Sequence, residues 1–409
     1  MVQNSPDFGE DLLSLSRRLL HWGPIMSLSI VVVVSSATAM CLMQCWHPLS
    51  SIPAAINTVC FVSLMYCVLT NFFASAHIGP GYVPRGWEPK NDEDKSKLQY
   101  CDQCGCYKMP RSHHCRKCGR CCIKMDHHCP WINNCCGHAN HNYFVRFLTF
   151  SVLGCGHGAL ILGPCVVRAI LRPWFLKHGA SSHSLVYLSM PSLFLGALAF
   201  GCAAGVVIAV GILLYIQIRA ISRNRTAIED WILVKARRRS KRTGIPFVYP
   251  YDLGWSSNLR SVLSWSGRPK GNGIYWPVVN GCDQFTLTLE QIAQKAEKQL
   301  RVQHFVCVRN YSGWWFPIQS YGFRISISTP IRNEPRLELN QGDVVVVSRQ
   351  RKFWLYGDKI SGRVKHTGHN SGLAEQRARG WFPRCCVDAV PDPDNLSDSN
   401  TSESHLKRD

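Results

Sequence analysis

Acid is scarce in this sequence. It holds 26 Asp and Glu against 46 Lys and Arg, a formal net charge of +20 over 409 residues. Four long stretches contain no charged residue at all: about Pro24–Trp46, about Ile52–Ala76, Phe147–Val167, and a fourth inside Leu185–Ile218. That absence excludes ordinary surface helices, which keep a charged face. A span needs roughly 20 apolar residues to cross about 30 Å of hydrocarbon, and each run supplies them. The first run also lacks a basic region directly at the N-terminus and a small-residue cleavage site, so a cleaved signal peptide is not expected. The length leaves room for two or three domains.

The basic residues are unevenly placed. His47–Ser51 has no Lys or Arg, whereas Arg85, Lys90, Lys95, Lys97, Lys108, Arg111, Arg116, Lys117, Arg120 and Lys124 lie between the second and third runs. Lys235, Arg237, Arg238, Arg239, Lys241 and Arg242 follow the fourth. Positive loops stay in the cytosol. Both termini and the central loop are therefore expected to be cytosolic, and the two short loops lumenal. Charge of this size suits nucleic acid, anionic lipid or phosphate-bearing small molecules. Set beside membrane runs, it points to lipid and phosphate, and no nucleic-acid partner is expected.

The 21 cysteines would suggest disulfides in a secreted protein. The densest cluster falls in the central loop, in a reducing compartment, where thiols bind metal or react. Cys101-x2-Cys104 is followed by His114-Cys115, Cys118, Cys121, Cys129 and Cys135. Zinc takes four Cys or His ligands, and pairs two residues apart present both sulfurs from one tight turn. Two complete sets can be drawn: Cys101, Cys104, His114 and Cys121; and Cys115, Cys118, His128 and Cys135. The sets interleave along the chain, so each ion would tie down the other's segment, and metal binding would supply most of the folding free energy of so short a loop.

That division leaves Asp126, His127 and Cys129 of "IKMDHHCPWINNCC" unclaimed. A free thiol near pKa 8.5 is only about 3% thiolate at pH 7. A neighbouring imidazole can take its proton, and a carboxylate can fix the tautomer, which is the nucleophile–base–orienter arrangement. The competing reading is a purely structural zinc module in which Cys129 is one more ligand.

Cys101-x2-Cys104-x9-His114-Cys115-x2-Cys118…Asp126-His127-His128-Cys129-x5-Cys135-x4-Asn140-x3-Phe144 resembles the DHHC-type protein S-acyltransferases (palmitoyltransferases) throughout. The resemblance extends to four transmembrane spans with the cysteine-rich domain on the cytosolic side between the second and third. It implies a long-chain acyl group, palmitoyl, passing from acyl-CoA through a Cys129 thioester to cysteines of substrate membrane proteins. It implies His127 as base, Asp126 as orienting acid, and the eight remaining residues as ligands of two structural zinc ions. Two signatures depart from the family: Gly79-Pro80-Gly81 stands for Asp-Pro-Gly, and Thr226-Ala227-Ile228-Glu229 for Thr-Thr-x-Glu. The missing second Thr removes any hydrogen bond from its side chain to the site. Tyr249–Leu259 resembles the family's C-terminal capping segment, with Asn258 as its polar anchor.

The phosphates of CoA need cations, and Lys108, Arg111, His113, Arg116 and Lys117 lie in the same loop. The alternative for these is a solvated basic face against anionic lipid. Lys235–Arg242 is assigned to lipid headgroups. Gly154, Gly156 and Gly158 of the third span either widen a cavity for the acyl chain, at Gly154 above all, or serve close helix packing. His157 is an intramembrane ionisable group expected to be neutral and hydrogen-bonded.

From about Val302 the pattern changes. Phe323–Ser328 ("FRISIS") and Gly342–Ser348 ("GDVVVVS") read as strands. Leu337, Gly342-Asp343, Phe353-Trp354, Gly357, Gly380-Trp381-Phe382-Pro383 and Val387 resemble an SH3 barrel over roughly 321–390, interrupted by an insertion near His366–Arg379. An SH3-bearing tail narrows the resemblance to the SH3-containing animal member of the family and raises an SH3-mediated protein partner. Its groove is atypical, because Phe353 stands near the usual Trp and Cys385-Cys386 replaces the usual Tyr. That cysteine pair is a candidate for regulatory acylation.

The expected whole is an α-helical polytopic membrane protein with four transmembrane helices, a cytosolic two-zinc cysteine-rich domain and a C-terminal SH3-like β-barrel. Its segments are a cytosolic N-terminus (1–23), spans one and two (24–76), the cysteine-rich domain (77–142), spans three and four (143–220), a juxtamembrane and capping segment (221–301), the SH3-like domain (302–390) and a polar tail (391–409). The endoplasmic reticulum membrane is the expected location, with the Golgi second. The alternative function is a non-catalytic membrane zinc scaffold that recruits partners through its tail. A membrane ubiquitin ligase would need RING spacing, which the ligands lack.

Overall fold

The computed structural model describes residues 15–178, 185–300, 303–330, 334–360 and 378–390. The expected insertion (mostly), the polar tail and most of the N-terminal segment lie outside the described residues. The chain splits into two compact units, Met1–Gln291 and Ile292–Asp409.

The first unit begins with helices α1 (Leu15–Leu19), α2 (Trp22–Cys45) and α3 (Ile52–His77). Three short hairpins follow: β1 (Tyr100–Cys101) with β2 (Cys106–Tyr107), β3 (His113–Cys115) with β4 (Arg120–Cys122), and β5 (His127–Cys129) with β6 (Asn134–Cys136). Next come α4 (His141–Ile170), α5 (Arg172–Lys177), α6 (Met190–Ser222), α7 (Ala227–Thr243) and α8 (Trp255–Val262), and then α9 (Thr286–Gln299), within which the boundary between the units falls. Helices α2, α3, α4 and α6 are long and apolar enough to cross a membrane. They correspond to the four uncharged runs. Helix α4 packs against the other three. It starts at His141, several residues before the apolar run does, because its first turn docks onto the hairpins rather than lipid: His141, Asn142, Phe144 and Val145 are all buried.

Side-chain amides of the cysteine-rich region finish helix α3. The last carbonyls of a helix have no partner within it and need donors from elsewhere. Asn134 Nδ2 donates to the carbonyls of Ser75, Ala76 and Ile78 at 3.1, 3.2 and 2.9 Å. Asn140 Nδ2 donates to Ser75, Ile78 and Cys135, and Arg18 Nη1 to Ala76. The hairpins are thereby fixed to the end of a membrane helix. On the other side, a Cβ at Gly23 would lie 1.9 Å from the Pro130 carbonyl oxygen, so α2 touches the backbone next to Cys129 directly.

The second unit has strands β7 (Gln303–Cys307), β8 (Val344–Gln350), β9 (Trp354–Ile360), β10 (Arg379–Pro383) and β11 (Val387–Val390), antiparallel in the order β10-β9-β8-β7-β11. Trp354, Trp381, Phe382, Tyr311 and Leu339 form its core. Among the described residues β10 and β11 end the sheet order, with the outer side of β10 met by a single parallel bridge from Arg336 to Trp381, so the sheet is not closed into a barrel.

One expectation for this unit fails. The run "FRISIS" is not a strand but a short helix, α11 (Phe323–Ile327), preceded by α10 (Ile318–Tyr321). A strand would put Phe323, Ile325 and Ile327 on one face. Instead Ile325 packs on the core while Phe323 and Ile327 are exposed. Five residues are too few for period two to be told from period 3.6. Cys385 and Cys386 differ in burial. Cys385 is exposed, but Cys386 is fully buried and donates its Sγ–H to the Pro383 carbonyl at 2.8 Å.

Candidate functional site

The alternation of a strand explains the row Asp126–Cys129. Successive strand side chains point to opposite faces. In the β5–β6 hairpin His128 lies opposite Cys135, while His127 lies opposite Cys136 and Cys129 opposite Asn134. His128 and Cys135 join Cys115 and Cys118 in one cluster, and Cys101, Cys104, His114 and Cys121 form a second. His127 and Cys129 turn the other way. Cys129 packs with Phe72, Ile132, Phe144 and Leu148 at the end of the helix bundle.

Both clusters fit a metal ion. In the first, His114 Nδ1 lies 3.5, 3.2 and 3.9 Å from the sulfurs of Cys101, Cys104 and Cys121. In the second, His128 Nδ1 lies 3.8, 3.4 and 3.6 Å from Cys115, Cys118 and Cys135. A tetrahedral ion with metal–sulfur and metal–nitrogen bonds near 2.3 and 2.0 Å would set such edges at about 3.5 Å. Gly105 and Gly119 follow the two Cys-x2-Cys turns at φ 61° and 65°, a region glycine enters without strain. Their N–H groups close the turns on the Cys101 and Cys115 carbonyls. These eight residues are the two sets drawn from the sequence. Cys129 belongs to neither.

Asp126 is 2% exposed and accepts from three elements. His127 Nδ1 is 2.7 Å from Oδ2, Gln217 Nε2 of α6 is 3.0 Å from the same oxygen, and the Ala227 N–H of α7 is 2.7 Å from Oδ1. Burial alone would raise this carboxyl's pKa. The His127 hydrogen bond, nearby imidazole charge and the Ala227 N–H outweigh burial and hold it well below the usual carboxylate range. For His127, burial favours the neutral ring, but Cys136, Asp126 and Cys129 together raise its proton affinity well above the ordinary imidazole value. Nδ1 is committed to Asp126, which leaves Nε2 for a thiol. Cys129 and Cys136 are both near enough to the ring to act on its proton affinity. Cys136 is fully buried, and burial pushes its thiol up to about 11. It is therefore protonated at neutral pH.

Ala227 settles the departure from Thr-Thr-x-Glu in structural terms. The position contacts Asp126 through its backbone, so the side chain is not needed for that bond. What aims the N–H is the start of α7. Thr226 and Glu229 form a reciprocal cap, Glu229 N to Thr226 Oγ1 at 3.2 Å and Thr226 N to Glu229 Oε2 at 2.9 Å. Arg111 holds Glu229 bidentately at 2.7 and 2.8 Å and also binds Asn224. Its guanidinium stacks on Tyr251 at 4.3 Å. Arg111 was expected to face phosphate, but the structure buries it, 4% exposed, with its charge matched by Glu229. Lys108 and His113 are half-buried in the hairpins. Asn258 is an anchor as expected, accepting from Leu253 N and donating to the Ser222 carbonyl and to Asp252.

An apolar cavity of ≈460 Å³ runs between the four long helices, a size common for small-molecule pockets. Cys129, Phe144, Ser151 and Gly154 line it, with Val34 of α2 and Val210 of α6. Cys129 is therefore shared by the cavity and the imidazole. The three glycines of α4 differ. A Cβ at Gly154 would meet Val68 and Leu64 only at 3.7 and 3.9 Å, and Gly156 likewise has room, whereas Gly158 would press Thr38 Oγ1 at 3.2 Å. Gly158 serves close packing on α2, and Gly154 lines the cavity, where a Cβ would make only ordinary contact with α3. His157 Nε2 bonds Asn57 Oδ1 of α3 at 2.7 Å.

Sequence reasoning passed over Asn134, His141 and Gln217. Gln217 had a signal: an amide in the apolar stretch "LLYIQI" is costly in a bilayer and is kept for a purpose.

A family model described as DHHC palmitoyltransferase matches residues 94–234. The chain is 42% identical over 410 residues to palmitoyltransferase ZDHHC6 of Danio rerio, covering 96% of both chains. It is 39% identical over 391 residues to palmitoyltransferase ZDHHC6 of Homo sapiens, covering 92% of both. It is 30% identical over 247 residues to probable protein S-acyltransferase 16 of Arabidopsis thaliana, covering 56% of this chain and 82% of the relative.

Lys124 makes the stability of this region depend on pH. It is 5% exposed, at φ 45°, with Nζ 5.5 Å from the Trp276 ring centre. Burial first, and then the Arg111 charge, lower its pKa to about 7. Between about pH 7 and 10.5 the unfolded lysine holds a proton that the folded one has released, so stability rises with pH across that window and levels off below it. The slope from one such group is at most about 1.4 kcal/mol per pH unit. In thermal unfolding of the full chain in detergent, Lys124→Met is expected to raise the midpoint at pH 7.5 and to flatten its rise toward pH 10. An unchanged slope would show that Lys124 keeps its proton when folded.

Proposed function

From the premise that the chain belongs to the DHHC palmitoyltransferase family, and is a protein S-acyltransferase and a multi-pass membrane protein, we propose that Cys129 carries the acyl group between acyl-CoA and substrate cysteines. The observation that carries this reading is the double position of Cys129: outside both metal clusters, near enough to His127 to act on its proton affinity, and at the wall of the apolar cavity.

The reaction has two steps. His127 Nε2 takes the Cys129 proton, and the thiolate attacks the thioester carbon of acyl-CoA. The bond from that carbon to the CoA sulfur breaks, and CoA leaves as a thiol with the proton returned to it. A substrate cysteine then attacks the acyl-Cys129 thioester, with His127 accepting its proton and handing it to the departing Cys129 sulfur. Asp126 fixes the imidazole tautomer and balances the imidazolium charge. The acyl chain lies in the cavity, where each buried CH2 contributes roughly 0.8 kcal/mol. Zinc is the metal that three thiolates and one imidazole suit best, and Cys101, Cys104, His114 and Cys121, with Cys115, Cys118, His128 and Cys135, would hold two such ions that would supply folding energy rather than reaction chemistry.

Further readings rest on the same premise. Positive charge beside the spans supports cytosolic termini and a cytosolic site, with substrates being membrane proteins bearing cytosolic cysteines in the endoplasmic reticulum membrane. Lys108 and His113 remain candidates for the CoA phosphates. The strand order of the tail, with one 3-10 turn before its last strand, supports an SH3-like unit that recruits a protein partner. Cys385, the exposed member of its pair, is the candidate for regulatory acylation. The scaffold alternative is not favoured by the family assignment.

Incubation with a clickable palmitoyl-CoA analogue tests the central step. Cys129→Ser is expected to reduce hydroxylamine-sensitive label to background, and His127→Ala to slow labelling by about 10²–10⁴-fold. Full labelling of Cys129→Ser would move the nucleophile elsewhere. Gly154→Phe is expected to shift acyl preference toward shorter chains, read by competing acyl-CoAs of graded length. An unaltered length profile would assign Gly154 to helix packing alone.

A further inference from the structure

We infer that Gln217, oriented by His141, is a positioning residue for the acyl transfer, an inference that rests on the Cys129–His127–Asp126 reading above. Gln217 is 5% exposed, on the last turns of α6. A buried amide left without partners is destabilising, so its partners show what it is for. Nε2 donates to Asp126 Oδ2 at 3.0 Å, and Oε1 faces His141 Nε2 at 2.9 Å.

The donor directions follow from chemistry. An imidazole nitrogen facing an amide oxygen has to donate, so His141 carries its proton on Nε2. Its Nδ1 is buried and makes no hydrogen bond, which fits the neutral ring. With Oε1 taken by His141, the amide cannot flip, because the flipped form would set oxygen against carboxylate. The Gln217 N–H is thus held on Oδ2, the same oxygen that accepts from His127 Nδ1. Gln217 therefore sets where that oxygen sits relative to the imidazole, and through it where Nε2 points. Val206, Ala209, Val210 and Leu213 of the same helix line the cavity, and Gln217 is one turn beyond Leu213. One membrane helix faces both the acyl chain and the carboxylate.

The test uses the full chain in detergent or nanodiscs, with pre-steady-state formation of the acyl-enzyme from palmitoyl-CoA. Gln217→Met keeps length and removes the donor. The rate constant for acylation is expected to fall about 10-fold or more with the KM for palmitoyl-CoA and the zinc content unchanged. His141→Phe should lose several-fold. The double variant should be no slower than Gln217→Met, because His141 acts through Gln217, whereas independent sites would multiply their losses. Wild-type acylation by Gln217→Met overturns the inference, as do multiplied losses in the double variant or a loss confined to zinc content. Cys129→Ser is run alongside. If it labels normally, the nucleophile assignment has failed. If it is dead while Gln217→Met is at full rate, only the positioning role has failed.

Discussion

A β-strand must show its neighbours to opposite sides, and the site depends on that constraint. In β5 it sends His128 to a metal cluster and His127 with Cys129 to the end of the membrane bundle. Four consecutive polar residues thereby divide into one metal donor and a thiol–imidazole–carboxylate set. The second strand of the hairpin repeats the division. Cys135 joins the metal cluster, and Cys136 faces the imidazole. Cooperation between the two faces follows. A metal ion held on one side would stiffen a three-residue strand that otherwise has too few hydrogen bonds to hold a fixed geometry on the other.

Asp126 is where the separate parts of the first unit meet. Its two oxygens take donors from β5, from membrane helix α6 and from the first turn of α7. Each donor is fixed in turn: Gln217 by His141, and Ala227 by the Thr226–Glu229 cap and the buried Arg111. A buried ion pair such as Arg111–Glu229 is weak evidence for stability, since the cost of desolvation offsets much of its attraction. Its value here is geometric: it fixes the direction of one N–H. Asn134 and Asn140 do the same work for α3, so the hairpins are tied to the bundle through helix ends whose carbonyls need donors anyway.

Much of this was legible in the sequence because the signals were strong and local. Uncharged runs of more than 20 residues mark the spans, and Cys-x2-Cys spacing marks the ligands. The eight ligands come together as drawn. Other parts needed three dimensions. Arg111 reads as one more cation in a basic loop, and only its pairing with Glu229, over a hundred residues away, removes it from the surface. The missing hydroxyl at Ala227 reads as a lost contact, yet the contact is made by the backbone, which every residue carries. "FRISIS" has a strand's alternation but sits between Gly322, at φ 82°, and a core that accepts only Ile325. The early start of α4 hides in polar residues that a search for apolar runs leaves out.

The central claim is that two metal ions take eight donors and leave the Cys129 sulfur free. Metal content of the purified chain by elemental analysis, wild type beside Cys129→Ser, tests it directly. Two zinc ions per chain are predicted for both proteins, with Cys135→Ser falling below two. A loss of zinc in Cys129→Ser would place that sulfur on a metal and contradict the account.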